Sequence, residues 1–334
     1  MTQLNLKLAE PDETRLAVEI ARDESVYAEL AKDVRDGLQR SPKSIPTKYL
    51  YDARGSELFD AICDLPEYYP TRTEQALLES VADEIVDRAR PTDVVELGSG
   101  AARKTRVLLD AFVNSGQNPR YVPMDVSESM LRAAALGLLE DYPDLEIHGL
   151  VGDYHRDLDH LPKGDRRMLV IRGSTIGNFP AHETDTFLRG VRDELVPGEY
   201  LLLGADLVKP TPVLEAAYND AAGVTAEFNR NVLNVLNREL EADFDVAAYE
   251  HVARFNADES QMELALRSER EQKVSIRALD LDVDMRAGEL LHTEISRKFT
   301  RERIDADLVS SGFELDAWYT PRNGYFGLAL ARAT

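Results

Sequence analysis

The stretch Val94-Val95-Glu96-Leu97-Gly98-Ser99-Gly100 decides the fold. A short apolar run leads straight into two glycines. A strand–Gly-x-Gly–helix corner is where a parallel α/β sheet receives a nucleotide-like ligand. The acid two residues before the first glycine bears on which ligand, because a pyrophosphate at this turn would be repelled by a carboxylate.

Working outward from the corner, strand and helix alternate. Strands are expected at 94–97, 121–124, 146–151, 168–172 and 200–203, with helices between them such as 130–140 and 182–194. This rhythm predicts a parallel sheet covered on both faces. After residue 208 the rhythm breaks: 210–237 reads as helical, and 247–299 as long strands, including 272–284 and 290–299. The tail returns to the first pattern, with a helix at 301–311, a strand at 313–319, the turn Pro321-Arg322-Asn323-Gly324 and a strand at 325–332. Asn-Gly favours a hairpin. A helix and a terminal hairpin closing a parallel sheet resembles the ending of a seven-stranded class I methyltransferase sheet with one antiparallel strand.

Upstream of the corner, 1–20 reads as a lead-in, 27–38 and 56–62 as helices, and Leu65–Glu74 as an irregular Pro-Tyr segment. Thr73 is placed to cap the helix that follows it, in which Leu77, Leu78, Val81, Ile85 and Val86 share one face. The expected fold class is thus α/β, with a Rossmann-like seven-stranded sheet and a second α+β substrate-binding domain. The first spans 72–208 and 298–334, the second 20–71 and 209–297.

Bulk composition narrows the partners. The chain has 334 residues, 43% of them hydrophobic and 30% charged, enough for about two domains of ~150 residues. Its net charge of −22, from 61 acids against 39 bases, argues against a nucleic-acid partner, which needs a basic face. The acids spread over helices and their ends and read as solvated faces. No apolar run approaches the ~20 residues of a membrane span. Residues 1–11 lack a secretory pattern and Cys63 stands alone, so a reducing cytoplasm is expected. His155 and His160 beside Asp157 and Asp159 read as surface residues, and no metal site is expected.

Three ligands compete for the corner. In Gly98-Ser99-Gly100-Ala101-Ala102-Arg103-Lys104-Thr105, Arg103 stands where both a P-loop and a dinucleotide fingerprint require glycine. S-adenosylmethionine (SAM) fits better. Its methionine end carries an ammonium and a sulfonium that Glu96 can oppose, and Gly98 and Gly100 allow close backbone approach. Asp125 ends the next strand, where an acid can accept both ribose hydroxyls. Asp153 ends the third, placed for the adenine amino group.

With Gly173-Ser174-Thr175-Ile176-Gly177-Asn178 after the fourth strand, the chain resembles the histidine Nα-methyltransferases of ergothioneine biosynthesis. The resemblance runs from about Ser41 to Leu330. Its further motifs are Pro42-Lys43-Ser44, Tyr51-Asp52, Leu65–Glu74, Glu96–Gly100, Ala221–Asn231 and Thr293-Glu294-Ile295-Ser296. It implies a SAM-dependent enzyme that trimethylates the α-amine of L-histidine to hercynine and releases S-adenosylhomocysteine. By resemblance, Gly98, Lys104, Asp125, Asp153 and Tyr154 hold the cofactor. Tyr68, Asn178 and Tyr218 hold the amino acid, and Glu294 and Ser296 read its imidazole. Residues 294 and 296 are two apart on a strand, so both side chains leave one face. Glu294 can accept the imidazole N–H in a charge-assisted bond.

Asn178 offers a carbonyl to the substrate amine, and Tyr51 lies in a matching motif from which it can reach the amine or ring through water. These two are the expected catalytic residues. Leu264 stands where the family pattern carries methionine, which leaves room for a relative that methylates another amino acid, such as tryptophan. A non-catalytic adenosine-ligand module is the competing class. No partner beyond the small substrate is called for, and a monomer is the expected form.

Overall fold

The computed structural model describes residues 15–21 and 26–334. Its central sheet holds eight strands, in the spatial order Leu16–Ile20, Ile147–Val151, Arg120–Asp125, Asp93–Leu97, Arg167–Ile171, Tyr200–Asp206, Phe326–Ala333 and Phe313–Tyr319. All neighbours pair in parallel except the two pairs made by Phe326–Ala333. The parallel core and its one antiparallel strand follow the expected pattern.

The eighth strand corrects the expectation of seven. Leu16–Ile20 pairs along Ile147–Val151 at the sheet edge, so this part of the lead-in is a strand; residues 1–14 lie outside the described residues. It escapes pattern reading because an edge strand this short buries little: Ile20 is 64% exposed.

Every residue of Asp93–Leu97 is buried. Successive side chains alternate between faces, so Val94 joins the apolar cluster under the helices Tyr69–Ala89, Thr105–Asn114 and Glu128–Asp141, while Val95 and Leu97 join the cluster under Ala181–Asp193 and Arg301–Ser310. Strand order reverses here, with Arg120–Asp125 on one side and Arg167–Ile171 on the other. Crossovers leave this point in opposite directions and open a crevice at the carboxyl ends.

A third apolar cluster gathers residues from 30–69 and 214–291. It fills the space beneath a four-stranded sheet ordered Lys43–Ser44, Leu290–Arg297, Gln261–Ser268, Tyr249–Asn256. The single strand expected over 272–284 is instead a ribbon, Gln272–Ile276 against Leu281–Met285, turned by a 3-10 segment and by Asp280 at φ 47°.

The helix expected after Thr73 begins at Tyr69. Pro70 sits in its first turn, where a missing N–H leaves no bond unmade. Arg72 reaches back from that turn to donate to the carbonyls of Pro66 at 2.7 Å and Tyr68 at 3.2 Å. These bonds fix the Pro-Tyr segment against the helix start.

Candidate active site

The glycine corner has the backbone its sequence demands. Gly98 and Gly100 have φ of 73° and 52°, in the left-handed region that favours glycine. The N–H of Gly98 donates to the Met124 carbonyl at 2.9 Å, which ties the corner to the next strand. Asp125 accepts from the Gly100 N–H at 2.9 Å and from the Ser127 N–H at 3.0 Å. Each carboxylate oxygen keeps lone-pair capacity for a ligand hydroxyl. Burial pushes the Asp125 carboxyl up, and those backbone bonds pull the other way. A Cβ on Gly98 would lie 3.5 Å from Cε1 of Tyr154, so the Tyr154 ring faces the corner.

Asp153 is buried and accepts from the His155 backbone at 3.0 Å, bonds its ring Nδ1 at 2.7 Å, and lies 3.5 Å from the Lys48 ammonium. Burial raises its pKa, but His155 and Lys48 outweigh burial and hold the carboxyl below the usual carboxylate range. His155 stacks on Tyr154 with ring centroids 4.7 Å apart. It is exposed, as expected, yet it braces the loop.

Glu96 departs from its expected role. Its carboxylate is turned inward and fully engaged: it accepts from Thr105 Oγ1 at 2.7 Å, Tyr121 Oη at 2.6 Å and Arg172 Nε at 3.0 Å, with Arg172 Nη2 closer still. A buried guanidinium compensates its charge, so it braces the corner from behind and does not face the ligand's cations. Arg172 lies a long way along the chain, so no local pattern announced the pair.

Lys104 bridges the crevice. Its ammonium pairs with the fully buried Glu74, whose oxygens also accept from the Gly173 N–H at 3.0 and 3.1 Å. The ends of strands 93–97 and 167–171 are thus joined through one lysine and one glutamate. Glu74 belonged to the quoted Pro-Tyr motif, but its role shows only in three dimensions.

Across the crevice, the strand Leu290–Arg297 carries a bulge between His292 and Glu294. Bulges re-aim side chains. Beyond it, Glu294 pairs opposite Leu264 and Ser296 opposite Met262. The Leu264 side chain, itself buried, therefore stands beside Glu294. Loss of hydration pushes the Glu294 carboxyl up to about 7, against the pull of the Lys298 charge.

Ser296 Oγ and Tyr218 Oη are 2.8 Å apart, and the Lys298 ammonium is 2.8 Å from each. Lys298 also pairs with Asp206 at 2.9 Å, and Asp206 binds Tyr69 Oη at 2.7 Å and Lys209 at 2.5 Å. Tyr218 is pinned through its backbone as well, its carbonyl 2.9 Å from His251 Nε2. The sequence reading missed Lys298, Asp206 and Lys209.

Tyr68 meets Tyr218 edge-on at 6.2 Å, and Tyr51 meets Phe59 at 5.4 Å and Phe228 at 5.3 Å. Burial drives both Tyr51 and Tyr68 well above 10, and the Glu294 charge adds to both shifts. Asp52, next to Tyr51 in the chain, caps the helix Ala53–Cys63 and is bound by Asn231 at 2.7 Å and Arg238 at 3.0 Å.

Asn178 ends the 3-10 turn Thr175–Asn178 and is partly exposed. Gly177 brings that turn against the strand bearing Glu294: a Cβ there would lie 2.8 Å from the Arg297 carbonyl oxygen. Gly177→Ala should therefore push Asn178 off its position. The expected result is roughly a tenfold drop in single-turnover rate with a lowered thermal midpoint, since overpacking against backbone costs about 1–3 kcal/mol; an unchanged rate would show that this close approach does not set Asn178.

A surface depression of about 500 Å³, lined by Thr92, Asp93, Arg120 and Lys163 among others, lies at the amino ends of the strands. Ligands of open α/β sheets bind at the other end. Among the described residues no His, Cys, Asp and Glu group suits a metal, and no helix is long and apolar enough to cross a membrane.

The chain is similar to known proteins along most of its length. The histidine N-alpha-methyltransferase of Mycolicibacterium smegmatis is 49% identical over 316 residues, covering 95% of this chain and 98% of the relative. A protein of the same name from Mycobacterium tuberculosis is 47% identical over 309 residues, covering 92% and 96%. An L-tryptophan methyltransferase of Psilocybe serbica is 26% identical over 329 residues, covering 89% and 91%. Residues 30–333 match the family described as histidine-specific, SAM-dependent methyltransferases. The chain belongs to that family.

Proposed function

We propose that this protein transfers methyl groups from SAM to the α-amine of L-histidine, three times in succession, to give hercynine for ergothioneine biosynthesis. The observation that carries the reading is the placement of Glu294 and Ser296 on one face of the strand Leu290–Arg297, with Tyr218 against Ser296. A carboxylate and a hydroxyl so placed suit the two nitrogens of an imidazole.

The corner fits SAM by its own chemistry. Two glycines in left-handed geometry, the spare lone pairs of Asp125, the Tyr154 ring facing Gly98, and Asp153 behind that ring form the cofactor side. Lys104 supplies a cation for the methionine carboxylate. When bound, SAM supplies an electrophilic methyl on a sulfonium. Glu96 supports this side indirectly, through the corner's backbone.

The protein's own contribution is placement. Tyr68 and Tyr218 hold the α-carboxylate, and Asn178 accepts from the α-amine, which aims the nitrogen lone pair. Holding reactants in near-attack geometry lowers a bimolecular barrier by several kcal/mol. The amine must first shed a proton. A reference α-amine titrates near ~8, so this costs on the order of 1–2 kcal/mol near neutrality. Tyr51, driven well above 10 by burial, is no base; it orders the water that takes the proton. The rings of Tyr51 and Tyr68 then face the growing trimethylammonium, as cation–π contacts require.

We take 72–208 with 298–334 as the cofactor domain and 20–71 with 209–297 as the substrate domain. One chain supplies both sides of the site, which supports a monomer, and a lone Cys63 supports the cytoplasm. Incubating the protein with SAM and each amino acid, followed by mass, tests the reading. Trimethylated histidine is expected, and its absence overturns the assignment. A product from tryptophan alone would move the substrate within the family.

Leu264 does not redirect this specificity. Leu264→Met is near volume-conserving and should cost under ~1.5 kcal/mol. KM for histidine should stay within about threefold, as measured by steady-state kinetics.

A further inference from the structure

We propose that Lys298 is a positioning residue whose buried ammonium turns the hydroxyl protons of Tyr218 and Ser296 outward, and thereby selects an amino acid with a free α-carboxylate. This rests on the reading of the site as a histidine methyltransferase, and it concerns a residue that contacts no substrate.

The argument is a count of protons and lone pairs. An ammonium has three N–H donors and no acceptor. In Lys298 all three are spent: on Tyr218 Oη at 2.8 Å, on Ser296 Oγ at 2.8 Å and on Asp206 Oδ2 at 2.9 Å. Each hydroxyl therefore accepts from the lysine side and keeps its own proton. One of those protons lies between the two oxygens, which are 2.8 Å apart. With histidine bound, Tyr218 turns its proton to the carboxylate and Ser296 turns its own to the unprotonated imidazole nitrogen. Glu294 accepts from the other nitrogen.

Charge points the same way. Asp206 is shared by two buried ammoniums, Lys298 and Lys209. With Lys209 protonated, the three groups carry one excess positive charge, one hydroxyl removed from where the carboxylate is held; burial lowers the Lys209 ammonium to about 8. The other titratable groups facing this cluster include Tyr218, Tyr69 on the helix Tyr69–Ala89, Tyr325 over which Lys209 sits, and Glu294 on the strand itself, whose ionised carboxylate is taken up by the imidazole N–H. Tyr69 stays neutral, since burial drives it well above 10. A substrate carboxylate supplies the counter-charge, and a neutral carboxamide does not.

Lys298→Met tests this with the full-length protein. KM for histidine should rise about tenfold, while kcat and the affinity for S-adenosylhomocysteine stay within about twofold. The loss should be much smaller for histidinamide, which lacks the negative charge. In a Tyr218→Phe, Ser296→Ala background, Lys298→Met should have little further effect on KM, because residues that act through one another are not additive. Equal losses for histidine and histidinamide, or full additivity, would overturn the proposal and leave Lys298 a structural residue. If Lys298→Met does not fold, the wild-type complex with S-adenosylhomocysteine decides. Histidine should bind at least about tenfold more tightly than histidinamide by calorimetry, and equal affinity overturns the inference. Wild-type failure to methylate histidine at all would instead refute the underlying reading.

Discussion

Glu294→Gln is expected to cut kcat/KM for histidine by roughly 10- to 150-fold, the worth of a charge-assisted hydrogen bond at about 1.5–3 kcal/mol. The amide keeps the shape and an acceptor but loses the charge that holds the imidazole N–H. Two further consequences separate this from simple damage. The wild-type carboxyl stands at about 7, raised by loss of hydration against the pull of Lys298. Only its ionised form holds the imidazole N–H well, so wild-type kcat/KM should fall about tenfold per pH unit below neutrality, and the Gln variant should lose the part of that limb that belongs to Glu294. Stability should move the opposite way. A carboxyl raised on folding is stabilising in its protonated form below the unfolded value, and that advantage is lost as pH rises through about 7. The ligand-free Gln variant should therefore melt higher than wild type at pH 8 and about equal to it at pH 5. Thermal denaturation at the two pH values checks the sign. A variant less stable at pH 8, with no change in the pH profile, would mean that Glu294 is not held in a desolvated carboxylate pocket. The site would then be trading no stability for recognition.

Much of this site was legible because its signals are short-range. The Gly98 and Gly100 turn and the acid closing the strand at Asp125 follow from period and turn chemistry; Glu294 and Ser296 were singled out by the family resemblance, and period two adds only that they share a face. The period-two step that joins 294 to 296 continues to 298, so Lys298 was within reach of the same reasoning. A lysine ordinarily reads as solvent-facing, and only the depth of Asp206 makes it a buried partner. Tyr69 as a helix start was hidden for a related reason: a proline directly after two tyrosines reads as irregular until its place in a first turn is seen. The edge strand Leu16–Ile20 was hidden because it buries too little to impose a clean alternation. Glu96 shows the limit most plainly. Its position before the glycines suggested a ligand-facing acid, whereas its partner Arg172 comes from the next strand over, and strand neighbours are a property of topology.

That pair sets the largest stability effect. Glu96 and Arg172 are both buried, and Arg172 also donates to Thr105 at 2.7 Å. Arg172→Leu would leave a buried carboxylate facing only the hydroxyls of Thr105 and Tyr121. Breaking a buried ion pair by removing one partner costs about 3–5 kcal/mol, because the remaining charge keeps its desolvation penalty without its compensation. The expected fall in thermal midpoint is roughly 4–7 °C, and affinity for SAM should fall with it, since Thr105 opens the helix after the glycine corner. The double variant Arg172→Leu, Glu96→Gln separates charge from packing. An amide oxygen can still accept from Thr105 and Tyr121, and no charge is stranded, so about half of the lost stability should return. Full recovery would mean that the guanidinium contributes only as a counter-ion. No recovery would show that its bond to Thr105 and its packing between strand and helix hold the corner, and that the charge on Glu96 is incidental to the architecture of the cofactor side.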